Sequence, residues 1–97
     1  MGWTVAIGVD THKATHTAVA LDRVGVQLGS CEVAASRAGY LQLVGWAQEL
    51  GAPTFALEGS GSYGAGLARL LVASGFPVYE VERPRGLSDS LCRRGLS

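Results

Sequence analysis

The sequence predicts a single α/β domain built on a mixed five-stranded sheet, and three observations carry that reading. Val5-Ala6-Ile7-Gly8-Val9-Asp10 is a short apolar run that closes on a carboxylate, and Thr54-Phe55-Ala56-Leu57-Glu58 repeats the pattern further along. Two more strand-like segments, joined by short turns, follow the first run. Two stretches of helical spacing, each stopped by a glycine, flank the second run. Ninety-seven residues suit one domain. A chain of this size hides roughly 60–70% of its unfolded surface, enough for one modest core. A hydrophobic fraction of 47% against 16% charged residues excludes disorder and favours a well-buried sheet.

The first strand spans Val5 to Asp10. Its apolar residues run without alternation, the pattern of a strand buried on both faces. Thr11-His12-Lys13-Ala14 is polar enough for a turn. Thr15 to Leu21 then alternates, with Thr17, Val19 and Leu21 on one face and His16, Ala18 and Ala20 on the other, as a half-buried strand does. Asp22-Arg23-Val24-Gly25 turns the chain into Val26 to Val33, where Val26, Leu28 and Ser30 share a face. Three strands on short turns read as an antiparallel meander.

Ser36 is placed to cap a helix. Behind it Tyr40, Leu41, Val44, Ala47 and Gln48 recur at helical spacing, flanked by Leu43, Trp46 and Leu50. Gly51 ends this helix and Pro53 prevents its restart. The strand Thr54–Leu57 follows and closes on Glu58. Gly59-Ser60-Gly61-Ser62-Tyr63-Gly64 leads to a second helix with Leu67, Leu70, Leu71 and Ser74 on one face and Gly75 at its end. Pro77-Val78-Tyr79-Glu80-Val81 is a fifth strand.

The element order is therefore βββαβαβ. A helical crossover after a three-stranded meander returns the chain parallel to the first strand, and such crossovers are right-handed. Setting the fourth strand beside the first buries the two most apolar strands at the centre, with the fifth outside the fourth. The strand order becomes 3-2-1-4-5, a ribonuclease-H-like mixed sheet. The domain is expected over residues 1–82, with a short divergent tail over 83–97.

This layout brings Asp10 and Glu58 out at one edge, about 5 Å apart in the pairing direction. Carboxylates at that spacing hold Mg²⁺ or Mn²⁺, and ligands of α/β sheets gather at the carboxyl ends of strands. Bound there, such a metal polarises a phosphodiester and activates the attacking oxygen. Two carboxylates are a partial ligand set, so further acids are expected. The plainer reading makes Asp10 a turn cap and Glu58 a cap of the second helix.

Gly59-x-Gly61-x-x-Gly64 matches the dinucleotide-binding fingerprint after a strand and before a helix. Against that reading, Glu58 sets a negative charge beside a pyrophosphate, and three strands precede a motif that normally opens its fold. An actin-like nucleotide-binding fold also begins with a strand ending Gly-x-Asp. Thr11-His12-Lys13 replaces its usual Gly-Thr, and the chain is short for two lobes. His12 and His16 have a zinc spacing only on a helix. On a hairpin that spacing loses its meaning; His12 and Lys13 read as solvated turn residues, although they stand near enough to Asp10 to meet a phosphate or orient a substrate. Trp46 and Tyr63 read as packing residues, with Tyr63 near enough to Glu58 to stack on a base.

Eight basic and eight acidic residues leave a formal net charge of zero, so there is no global nucleic-acid signature. Four of the basic residues nevertheless fall in the last fifteen positions. Cys31 and Cys92 lack metal or redox spacing and read as reduced thiols. No apolar segment approaches membrane-spanning length, and a cytoplasmic location is expected.

Gly8-Val9-Asp10-Thr11-His12-Lys13, Leu57-Glu58-Gly59-Ser60-Gly61-Ser62-Tyr63-Gly64 and Val81-Glu82-Arg83-Pro84, in this order, resemble the N-terminal RuvC-like domain of DEDD-type insertion-sequence transposases. The resemblance covers residues 5–85. It implies an Asp-Glu-Asp-Asp metal site acting on DNA during transposition and recombination. It further implies an element-encoded guide RNA, possible homo-oligomers and a separate domain carrying a serine nucleophile. Asp10 corresponds to the first acid and Glu58 to the second.

The last two family acids lie in a Gly-Lys-Ser-Asp-x-x-Asp-like segment, preceded by a basic stretch. Here the chain reads Arg85-Gly86-Leu87-Ser88-Asp89-Ser90-Leu91-Cys92. Asp89 corresponds to the third acid, Leu87 replaces the lysine, and Cys92 stands at the fourth acid. The expectation is a truncated copy whose core is sound and whose chemistry is incomplete. The alternative is a catalytically dead remnant that binds nucleic acid or a full-length relative.

Overall fold

The computed structural model describes residues 3–59 and 63–81. Strands β1 (Val5–Thr11) and β4 (Pro53–Glu58) lie side by side and parallel at the centre of the sheet. β2 (Thr15–Asp22) and β3 (Gln27–Ala34) continue from β1 as an antiparallel meander, and β5 (Val78–Val81) pairs parallel to β4. Helix α1 (Arg37–Leu50) crosses from β3 to β4, and α2 (Ala65–Ala73) from β4 to β5. The order β3-β2-β1-β4-β5 is the one expected from the element sequence.

Local chemistry sets each boundary. Asp22 Oδ1 accepts the amides of Val24 and Val26 at 3.0 and 2.9 Å, and Gly25 takes φ +93° to close the β2–β3 turn. Ser36 Oγ accepts the Gly39 amide at 3.2 Å and caps α1. Gly51, at φ +144°, ends that helix. After α2 the Gly75 amide bonds Val72 O and the Phe76 amide bonds Leu71 O, at 3.0 and 3.1 Å, which is a Schellman end around Gly75 at φ +91°.

Both helices cover one face of the sheet. Val5, Ile7 and Val9 of β1 meet Ala18 and Ala20 of β2, Phe55 and Leu57 of β4, Leu43 and Ala47 of α1, and Leu67 and Leu71 of α2. Each large side chain buried here contributes about 1.5–3 kcal/mol relative to exposure.

Three expectations are corrected. Among the described residues β1 is buried on one face only, since Gly8 is exposed and Ala6 and Asp10 are half-buried on the other. Leu43 is the fully buried leucine of α1, whereas Leu41 is about half exposed, because the helix presents Gly39, Leu43 and Ala47 to the sheet. Val26 and Leu28 are exposed, and it is Val33 of β3 that enters the core. For α1 and β3 the periodicity was visible but the side on which the helices pack was not; for β1 the small residues Ala6 and Gly8 hid the alternation.

Gly39 in the first turn of α1 is required by close approach. A Cβ there would overlap the carbonyl oxygen of Ala34 and lie 2.8–2.9 Å from its carbonyl carbon and amide nitrogen. Gly39→Ala should therefore destabilise the protein by about 1–3 kcal/mol despite alanine's better helix propensity. Urea denaturation checks this, and an unchanged midpoint would show that the α1–β3 junction yields freely.

No helix among the described residues is long and apolar enough to cross a membrane.

Candidate functional site

The register of the central strands determines what the site contains. Asp10 pairs with Glu58 as the last of six β1–β4 pairs running up from Val5 and Pro53. Residues directly opposite in adjacent strands share a face, so both acidic side chains stand on the face away from the helices. Asp10 and Glu58 are each half-buried. Below them Gly8, Ala56, Thr17, Val19 and Val81 line an open groove. The two acids therefore occupy the head of a mainly apolar trough.

β4 stops directly after Glu58, where Gly59 turns away at φ +81°, a conformation glycine adopts without steric cost. β1 runs one residue further. Thr11, 1% exposed, points to the helix-covered side, and its hydroxyl donates to the main-chain oxygen of Glu58 at 2.6 Å. The hairpin then closes through the His12 amide on Thr15 O at 3.1 Å.

His12 returns to Asp10: its Nε2 lies 3.2 Å from Asp10 Oδ2, with both side chains about half exposed. His16 is separated from it. Fully buried, it stacks on Tyr40 at 5.8 Å, and its Nδ1 lies 3.3 Å from the His12 amide and 3.0 Å from Thr15 O. Among the described residues His16 Nε2 has no partner. The two histidines thus form no shared ligand pair.

Asp10 and Glu58 offer hard carboxylate oxygens from adjacent strands, a donor type that fits Mg²⁺ or Mn²⁺. Their fit is partial, because no group of three or more His, Cys, Asp or Glu converges among the described residues. Asp89 and Cys92 lie outside the described residues. Glu58 does not cap α2; the capping position is Gly64, without a side-chain bond.

Trp46 packs against the core as expected, whereas Tyr63 is 51% exposed. Cys31 is a free thiol whose pKa burial pushes up, in keeping with an inert side chain. Thr11 escaped the sequence reading, and His16, expected on the face of Ala18 and Ala20, lies there fully buried. Continuing the alternation of Val5, Ile7 and Val9 by one step would have placed Thr11 on the buried face.

Comparison with known proteins follows the same lines. Residues 7–85 match the family model described as "Transposase", that of the IS110-type DEDD transposases. No curated protein sequence matches the chain. Among solved structures, the chain resembles a Bacteroides thetaiotaomicron protein with an actin-like ATPase fold and unknown function, with TM-score 0.66 and 14% identity over 99% of this chain and 38% of the other. It also resembles the Pelota protein of Thermoplasma acidophilum, with TM-score 0.54 and 18% identity over 99% of this chain and 33% of that one. The chain thus spans about a third of the length of either structure. At these identities the likeness concerns the fold alone, and the architecture is consistent with a ribonuclease-H-like sheet.

Proposed function

The chain belongs to the DEDD transposase family, and from that membership we propose that Asp10 and Glu58 are the first two acids of a metal-dependent site that processes DNA in transposition and recombination. The observation that carries this reading is their register, as the last pair of two adjacent parallel strands. A bound Mg²⁺ or Mn²⁺ would supply Lewis acidity at a phosphodiester oxygen and a nucleophile active near neutral pH. Asp10 and Glu58 would hold it, and Asp89 is the proposed third acid. His12, against Asp10 Oδ2, orients that carboxylate. Lys13, one residue further along the turn, brings a cation to the edge where DNA phosphates would arrive.

Two carboxylates leave most of an octahedral shell to water, so binding to these acids alone should be weak. Catalysis depends on fixing the ions, and a 1 Å misplacement can cost about a hundredfold. The 97-residue chain is accordingly proposed to be inactive by itself. Guide-RNA pairing and self-association belong to the proposal as family properties. A remnant that only binds nucleic acid or a full-length relative is the second outcome of the same experiment.

That experiment compares the 97-residue chain with a version in which a family-like acidic segment and serine domain follow Pro84. Strand cleavage or exchange is measured on matched DNA with guide RNA and Mg²⁺. The extended protein should cleave and lose the activity on Asp10→Asn, while the short chain should not cleave. Cleavage that survives Asp10→Asn would overturn the assignment of the acids. Nucleic-acid binding with no cleavage in any version would favour the remnant.

A further inference from the structure

We infer that the Thr11 hydroxyl is a positioning group for the acidic pair, holding Glu58 in register with Asp10; the inference rests on the metal reading of those two acids. The buried face of β1 reads Val5, Ile7, Val9, Thr11, three aliphatic residues and then a hydroxyl in the same layer. Valine has nearly the same shape and favours strands as strongly, so packing does not call for the oxygen. A buried hydroxyl is unfavourable unless it is hydrogen-bonded. Here it donates to the Glu58 main-chain oxygen at 2.6 Å, across 47 positions of sequence.

The placement of that bond matters. Asp10–Glu58 is the last β1–β4 pair, and Gly59 then leaves the sheet at φ +81°. Among the described residues the β1–β4 ladder ends at this pair. The Thr11 side chain adds a bond at that end, from the face opposite the carboxylates. It fixes the Glu58 peptide, and with it the origin of the Glu58 side chain, without occupying any carboxylate oxygen. Removing the hydroxyl lets the strand end fray, so the Glu58 carboxylate explores a wider range about Asp10. Groups that orient a metal ligand from behind typically govern affinity by about 10–100-fold.

The test is a Mn²⁺ titration of the full chain followed by electron paramagnetic resonance, in which bound ions leave the free-ion signal. Wild type, Thr11→Val and Thr11→Ser are compared at a temperature where circular dichroism shows all three folded. Thr11→Val should weaken Mn²⁺ binding about tenfold, and Thr11→Ser, which keeps the hydroxyl, should restore it to within about twofold of wild type. A role in packing alone would favour valine over serine, the reverse order. Equal affinity in wild type and Thr11→Val would overturn the inference, as would equal losses in both variants. Should Thr11→Val fail to fold, Thr11→Ala against Thr11→Ser gives the same contrast. If wild type itself binds no Mn²⁺, the metal reading of Asp10 and Glu58 fails and takes this inference with it. That result is distinct from a bound ion indifferent to Thr11.

Discussion

Asp10→Asn or Glu58→Gln should abolish Mg²⁺ or Mn²⁺ binding while leaving metal-free stability within about 1 kcal/mol of wild type. The asymmetry follows from where the acids sit. Each substitution keeps the side-chain volume and removes one of two like charges at the end of adjacent strands, which relieves repulsion. Asp10→Asn also weakens the contact with His12, but the partners are 49% and 56% exposed and such pairs contribute about 0–1 kcal/mol. The two effects oppose each other and both are small in solvent. Metal binding needs both hard, charged oxygens, and an amide is a poor replacement. Isothermal titration for the metal and urea denaturation in chelator would separate the terms. A loss of several kcal/mol on Asp10→Asn without metal would identify Asp10 as a structural turn cap instead.

Phe55→Ala should be the most damaging of the core substitutions, at about 3–5 kcal/mol. Phe55 is fully buried in β4, opposite Ile7 of β1 and Val78 of β5, and stacks edge-to-face on Phe76 with centroids 5.4 Å apart. Its removal empties the junction of three strands and the connection leaving α2. A domain of this size commonly has about 5–15 kcal/mol of stability in total, so much of the population could unfold at moderate temperature. Thermal unfolding by circular dichroism reads the effect directly. A drop below 1 kcal/mol would mean that Phe76 and Leu57 collapse into the space and that the core is more plastic than its burial implies.

Much of the architecture was legible because burial and element order constrain one another. Once the apolar runs ending in Asp10 and Glu58 were recognised as strands, only a central, parallel pairing buried both, and the meander had to lie outside β1. The acids came with it, since a strand's last residue goes where the strand goes. Facing was harder. Val26 and Leu28 share a face in the sequence, and β3 turns Val33 inward and leaves that face exposed. An alternating strand has two self-consistent faces, and only the position of α1 chooses between them. His16 shows a related limit: its place on the face of Ala18 and Ala20 was legible, but not that Tyr40 stacks upon it. Thr11 was missed because its partner is a main-chain atom 47 positions away, which leaves no trace in local spacing.

The distance along the chain between the two acids also has a bearing on assembly. β1, β2 and β3 are joined by short turns and can pair as soon as they are made, whereas β4 must wait for the whole of α1. Closing such a long loop is entropically costlier than closing a hairpin and is rewarded only when the non-local contacts form. Asp10 therefore enters the growing hairpin before the strand that carries Glu58 has been made. The paired site comes into being in one step, when β4 docks, and a nascent chain carries half of it for as long as its central strand is missing.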